Sequence, residues 1–425
     1  MNDMTIDEKD GENTPKDIGI TPVFTAQAST YAKKNVIGTF FTLITFGIYR
    51  AWFTTNLRKY LWTNTSFDGD QFEYLGAGRE LLIGFIIAVV LILPIIGAVI
   101  LMLSLIIVPP FVIVFAEFMP QIFGLFSIYN IFLLFFVQFA IYRGRAYRLS
   151  RTSYRGIRFH QTGNGWHYAF KSFLWLMLIV PTLGFAYPWM RAWQINYRVN
   201  NTWFGSQQAS LEAKGKDLLK PYLKALFAAL AVGIAIAFIA PSSPAASKIT
   251  LGLGIGAALF IYFSFPYLAA REFKIFTSKI KLGSAYAISD FTARKIYLRL
   301  LAYGFAVFAA MIVIYVVMTI LIIVLAVIFY AILSLDTLRE NPIMAIEMIV
   351  FNPAFIGVLI LCYLALILAF VYLYSRIFRF AILRHLVTTI TVYNHANLVA
   401  EAMQGEDVSG TAAGIGDAID VEFGF

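Results

Sequence analysis

Cysteine occurs once in 425 residues, at Cys362 inside an apolar run, so no disulfide framework can form within one chain. Charge is scarce as well. Charged residues make up 13% of the chain and apolar residues 60%, with a mean hydropathy of +0.75. A soluble globular domain carries roughly 25% charged and about 45–50% apolar residues, so this balance excludes an ordinary water-soluble globule. The four histidines are His160, His167, His385 and His395. They form no cluster with Cys, Asp or Glu at metal-ligand spacing, so neither a metal site nor a cofactor is expected. G-x-S-x-G and P-loop motifs are both missing, and no nucleophile–base pair can be assembled. No catalytic residue is expected, and the chain does not read as an enzyme. The first 34 residues hold six acids and four lysines without an apolar core, which is no cleavable signal peptide.

What the chain has instead is long uncharged runs between basic blocks. Twenty-seven of its 33 Lys and Arg residues lie in blocks 50–80, 143–171, 191–224, 271–299 and 376–384. Uncharged stretches such as 81–116, 225–247, 300–335 and 351–375 separate most of them. Runs of that length read as bilayer-crossing helices. They fall into pairs whose joints (Pro109 to Glu117, Pro241 to Lys248, Asp336 to Glu347) contain two basic residues in all. The positive-inside rule then places the joints outside and the basic blocks, with both termini, in the cytoplasm. Two shorter segments, 36–53 and 172–190, have basic residues on both flanks. They read as re-entrant or interfacial helices, with two further crossings as the alternative. The expected fold is an all-α polytopic membrane protein of six to eight transmembrane helices, with short cytoplasmic β-hairpins between them. A polar tail over 1–34, a repeated membrane domain over 35–398 and an acidic Gly/Ala-rich tail over 399–425 complete the organisation. The net charge of +9 clusters beside the apolar runs, which points to anionic lipid headgroups and not to nucleic acid. Oligomeric state is left open.

The chain also repeats itself. At an offset of 137, Thr45, Gly47, Trp52, Tyr60, Asn64, Thr65 and Phe67 match Thr182, Gly184, Trp189, Tyr197, Asn201, Thr202 and Phe204. At an offset of 87, Arg58, Tyr60, Thr65, Ser66 and Gly69 match Arg145, Tyr147, Thr152, Ser153 and Gly156. NTSFDGDQF, RTSYRGIRF and NTWFGSQQA are thus variants of one unit, with TSKIKLGSA and TTITVYNHAN as looser ones. Thr, aromatic residues and a turn glycine make each a hairpin signal, best at Asp68-Gly69. A lone hairpin is marginal in water, so the units are expected to pair into one small β layer.

These motifs carry a resemblance. TFGIYRAW, RKYLWTNTSFDGDQFEYLG, RLSRTSYRGIRF and TLGFAYPW, in that order, resemble the YjgN family of bacterial inner-membrane proteins, as does the ending GIGDAIDVEFGF. The likeness covers most of residues 23–425. It departs where the first copy has Ala51 and the second has Pro188. The family implies a Gram-negative cytoplasmic membrane and no catalytic residues.

Two functions fit. The first is transport or permeation through a site between the two Gly-broken segments, near Gly47, Trp52, Gly184, Pro188 and Trp189. Broken helices at corresponding places of two repeats are the usual pointer to such a site. The second is a non-transporting scaffold that grips anionic headgroups or a cytoplasmic partner through Arg145, Arg148, Arg151, Arg155 and Arg158. The apolar runs contain no ionisable side chain of the kind proton-coupled pumps need. Asp68, Asp70 and Glu73 form the densest acidic cluster, read as turn acids beside basic neighbours. Gly252-x-Gly254-x-Gly256 reads as a helix-packing face.

Overall fold

The computed structural model describes residues 19–84, 119–179, 181–239, 264–332 and 353–403, with positions 86, 90, 94, 97, 252 and 254–256 between them. The chain runs from β1 (Val23–Phe24) through α1 (Ala28–Ile44) and α2 (Arg50–Thr63) to β2 (Thr65–Phe67) and β3 (Asp70–Tyr74). Next come α3 (Met119–Ser150), β4 (Thr152–Tyr154) and β5 (Ile157–Gln161). α4 (Gly165–Ile179) and α5 (Tyr187–Asn200) lead to β6 (Thr202–Phe204) and β7 (Gln207–Ser210). α6 (Gly215–Ile239) and α7 (Phe265–Thr277) lead to β8 (Lys281–Leu282) and β9 (Ala285–Ser289). α8 (Ala293–Ile332), α9 (Pro353–Leu373), a π-helical stretch (Tyr374–Arg379) and α10 (Phe380–Thr388) precede β10 (Ile390–Tyr393) and α11 (Leu398–Ala402).

Threonine makes the switch from helix to strand. The hydroxyls of Thr65, Thr152, Thr202 and Thr389 donate to the carbonyls of Leu61, Arg148, Arg198 and His385 at 2.7–2.8 Å. Each satisfies a last-turn carbonyl the helix leaves open, and the β-branched carbon then suits the strand that follows. Four two-residue turns close the hairpins. Asp68 and Gly69 (φ 48° and 84°) and Arg155 and Gly156 (φ 50° and 78°) have positive φ at both central residues, as type I′ turns require. The other two turns place Gly205 and Gly283 first, at φ 54° and 56°.

The ten strands pair in chain order, each antiparallel to the next. The two ends then meet. Ile20 N–H donates to the Val392 carbonyl at 2.9 Å, and Val392 N–H donates to the Ile20 carbonyl at 2.8 Å. The sheet is therefore a ring, and its fifth hairpin is shared between the two ends of the described chain. Closure removes free edges, which is how strands of two to five residues persist. Phe67, Tyr154, Phe204 and Ala285 are buried together with Leu398 and Ala402 of α11. Phe72 packs on Tyr154 at 5.0 Å and Phe159 on Phe204 at 4.6 Å between ring centroids, each pair contributing roughly 0.5–1.5 kcal/mol beyond its buried area.

The expectation of an all-α fold with six to eight crossings is corrected by this structure. A ten-stranded antiparallel sheet stands at its centre. Among the described residues, two helices are long and apolar enough to cross a membrane, Ala293–Ile320 and Ile356–Thr388. Most of the run expected over 81–105, and the joints at 109–117, 241–248 and 336–347, lie outside the described residues. The sheet was underestimated because each hairpin is too short to be stable alone, and its stability comes from neighbours far away in sequence. The short segments 36–53 and 172–190 are helical hairpins, α1–α2 and α4–α5. Both ends of each return to paired strands, β1 with β2 and β5 with β6. Their helices have 14–17 residues, about 21–26 Å at 1.5 Å per residue, short of a roughly 30 Å hydrocarbon core. The boundary expected at residue 35 falls inside α1, and the one at 399 falls inside α11.

Candidate functional site: the ring and its basic collar

The two helical hairpins are built alike at their tips. Thr45 Oγ1 donates to the Phe41 carbonyl at 2.6 Å and accepts from Tyr49 N–H at 3.0 Å. Thr182 Oγ1 donates to the Leu178 carbonyl at 2.5 Å and accepts from Ala186 N–H at 3.2 Å. The chain then reverses through two left-handed residues, Phe46 and Gly47 (φ 51° and 93°) or Leu183 and Gly184 (φ 48° and 89°). A non-glycine residue at φ near 50° is strained, so the turn is held by its hydrogen bonds. Gly47 N–H reaches the Thr42 carbonyl at 2.7 Å and Gly184 N–H the Ile179 carbonyl at 2.8 Å. Phe46 is 93% exposed and Leu183 82%, so each hairpin presents an apolar tip.

The candidate transport residues thus separate into packing roles. Gly47 and Gly184 are hairpin tips. Pro188 is fully buried in the first turn of α5. Trp52 packs on Gly78, where an added Cβ would stand 2.8 Å from the indole. Trp189 packs in the same way on Gly215, where an added Cβ would stand 2.6 Å from the indole. Each tryptophan faces a glycine 26 residues further along its own stretch of chain.

The candidate lipid-contact arginines divide likewise. Arg145 Nη1 donates to Gln161 Oε1, the Arg198 carbonyl and Thr202 Oγ1 at 3.0, 3.1 and 2.8 Å. Arg151 forms a bidentate pair with Glu80 at 3.0 and 2.9 Å, and Tyr147 Oη donates to the same carboxylate at 2.6 Å. Arg155 bridges Asp70 and Asp68 at 2.5 and 3.1 Å, joining the turns of two ring hairpins. Half-buried Arg148 has partners of its own. Arg158 is exposed on β5. Three of the five therefore hold the ring to itself. Sequence reasoning missed the Arg191–Glu272 ion pair, in which Arg191 Nε and Nη2 meet both carboxylate oxygens. Burial opposes the Arg191 charge, and the Glu272 carboxylate outweighs burial and raises its pKa. The acids at 68 and 70 are the turn acids the sequence indicated, but their partner is Arg155.

The basic residues form a collar next to the ring. Counted along each described helix from its ring end, none lies more than thirteen residues out, about 20 Å at 1.5 Å per residue. Beyond that level the helices are uncharged. Phe308, Tyr315 and Tyr363 are all exposed there, which is stable in lipid and costly in water. The strands line an open apolar pocket of about 230 Å³, bordered by Phe67, Phe72, Tyr154, Phe159, Phe204 and Leu398, among others. α11 borders it. Ser206 N–H and Oγ donate to the Ala402 and Glu401 carbonyls at 3.1 and 2.8 Å, and Ser284 N–H donates to the Glu401 carboxylate at 3.3 Å. Among the described residues no group of three or more His, Cys, Asp or Glu could hold a metal ion.

Two exposed apolar helices long enough to cross a membrane, with a cationic collar beside the β-ring, point to a membrane-associated protein. Over residues 21–302 the chain matches the bacterial proteins of unknown function grouped as DUF898, the family of the YjgN-like membrane proteins, and it belongs to that family. No curated protein and no solved structure matches it.

Proposed function

We propose that this protein is a non-transporting scaffold of the bacterial inner membrane that presents its β-ring on the cytoplasmic face. The observation that carries the reading is the fate of the two Gly-broken segments. Both are closed hairpins whose tryptophans, Trp52 and Trp189, pack on Gly78 and Gly215 of their own stretch, so among the described residues these side chains serve packing. Membrane lipids are its first partners, with anionic headgroups against the collar. The pairing of Ile20 with Val392 supports having both ends of the described chain on one side, and the collar favours the cytoplasmic side by the positive-inside rule. Multi-pass insertion rests on α8 and α9. The hydrogen bonds that recur 137 residues apart support an internal repeat as the building plan. We assign it no catalytic step.

Reconstitution into proteoliposomes tests the reading. Leak of ions and of small neutral, anionic and cationic solutes should stay at the level of empty vesicles. Gly47→Val and Gly184→Val should lower thermal stability and leave leak unchanged. A saturable, protein-dependent flux that either substitution abolishes at equal incorporation would return the transport reading.

A further inference from the structure

The backbone donors of the two hairpin tips are turned inward. In α1–α2 every N–H from residue 45 to residue 50 donates within the hairpin, at 2.7–3.2 Å. The acceptors are the carbonyls of Phe41, Thr42, Leu43, Thr45 and Gly47 and the hydroxyl of Thr45. In α4–α5 the N–H groups of Thr182, Gly184, Phe185, Ala186 and Tyr187 do the same at 2.8–3.2 Å, and Pro188 has none to give. A turn in water has no need of this, because solvent serves its free groups. A turn in hydrocarbon has no other partner for them. The side chains agree. Ile44, Phe46 and Ile48 around the first tip are exposed, and so are Leu178, Leu183 and Phe185 around the second. Each hairpin also runs beside a long apolar helix, α1 along α9 and α4 along α3.

The tips stand at one height, just beyond the collar. Tyr60 holds the backbone of Gln27 and Tyr197 that of Asn164, and in both hairpins the first left-handed residue comes nineteen residues later. α1 rises seventeen residues from the ring. The outermost basic residues, Arg50 and Arg376, stand thirteen residues from Thr63 and twelve from Thr388. The tips therefore clear the collar by roughly 6–8 Å at 1.5 Å per residue. That matches the depth of about 5–10 Å at which interfacial elements sit in the headgroup and acyl boundary. Arg50 limits the depth, since an arginine that close to the turn keeps its guanidinium at headgroup level. In the second hairpin Tyr187 holds the equivalent place, and tyrosine suits the same boundary. We propose that the two tips are shallow wedges, both dipping into the acyl chains of the cytoplasmic leaflet and giving the protein a preference for loosely packed, curved membrane. The proposal rests on the membrane reading above and adds the surface that meets the lipid.

The full chain, reconstituted into liposomes, tests the wedges in two arms. In a Cys362→Ser background, Phe46→Cys or Leu183→Cys carries an environment-sensitive fluorophore. Lipids with a nitroxide high on the acyl chain should quench both tips more than lipids with the nitroxide near the chain end. Iodide should reach either tip several-fold less than a label at Arg158→Cys on the ring. Cys362 of the wild type, midway along α9, should be quenched best by the deep nitroxide. The second arm follows Arg158→Cys labelled from outside with an impermeant dye, so that only outward-facing rings are seen. Their density on tubes pulled from giant vesicles should exceed that on the flat membrane several-fold. Phe46→Ser with Leu183→Ser should remove the excess at equal incorporation. Iodide access at either tip equal to that at Arg158→Cys, best quenching of a tip by the deep nitroxide, or equal density on tube and vesicle with native tips would overturn the wedges. If Cys362 is still quenched by lipid in that case, the membrane reading stands, and if it is not, that reading falls as well.

Discussion

The Tyr60 hydroxyl grips the backbone of Gln27 from both sides, accepting from its N–H at 2.9 Å and donating to its carbonyl at 3.3 Å. The contact locks the base of the hairpin α1–α2. The same lock recurs 137 residues on, where Tyr197 accepts from Asn164 N–H and donates to its carbonyl, both at 3.1 Å. Thr25 N–H to the Asn64 carbonyl and Thr162 N–H to the Asn201 carbonyl complete each base, at 2.9 and 2.8 Å.

Removing either hydroxyl should therefore loosen one hairpin and spare the other. Tyr60→Phe and Tyr197→Phe should each destabilise the protein by ~1 kcal/mol, the net contribution of an ordinary hydrogen bond. The two locks share no partner, so the double variant should show the sum within a few tenths of a kcal/mol. Chemical unfolding in detergent measures all three.

The tryptophan–glycine contacts give a prediction that separates packing from ligand binding. Gly78→Ala and Gly215→Ala put a methyl group 2.8 and 2.6 Å from the indoles of Trp52 and Trp189. Each should cost about 1–3 kcal/mol by overpacking. Trp52→Leu should recover part of the loss from Gly78→Ala, and Trp189→Leu part of that from Gly215→Ala. Unfolding midpoints of the single and paired variants decide the matter, and partial rescue is the expected outcome.

A pH dependence follows from His160 on β5, stacked on Trp203 at 5.9 Å. Burial holds its pKa below the ordinary 6.5. As pH falls through 6.5, the unfolded chain takes up a proton that the folded ring resists. The stability contribution is full above that value and declines below it, toward the depressed folded value. His160→Gln should flatten this part of the curve. The readout is the difference in unfolding midpoint between wild type and variant across pH 7.5 to 5, which should narrow as the pH falls.

Local chemistry was legible in the sequence, and long-range pairing was not. Asp68-Gly69 announced its turn because few dipeptides accept two positive φ values, and Thr45 to Gly47 announced a break matched at Thr182 to Gly184. The match at 137 marked equivalent hairpins. What the sequence could not say is which hairpin pairs with which. Arg155 looked like a lipid contact because it sits in a basic block, and only strand register brings it to Asp68 and Asp70. Arg145 looked exposed for the same reason, although its acceptors come from β5, α5 and β6. Ile20 lay in a segment read as a polar tail, and Phe24 is buried just after it. Backbone pairing carries no side-chain signature, so residues 20 and 392 gave no hint of each other.

The proposed scaffold presents a closed ring, and the pair Ile20–Val392 tests that closure most directly. Antiparallel partners that exchange both hydrogen bonds sit about 5.5 Å apart at Cα, within disulfide reach. In a Cys362→Ser background, Ile20→Cys with Val392→Cys should form an intramolecular disulfide on mild oxidation of isolated membranes. Ser66→Cys with Gln71→Cys, partners within one hairpin, gives the reference rate. Closure predicts cross-linking of positions 20 and 392 at a comparable rate, without dimer formation. Absence of that intramolecular bond while the hairpin reference forms, or a bond found only between two chains, would contradict the closed ring.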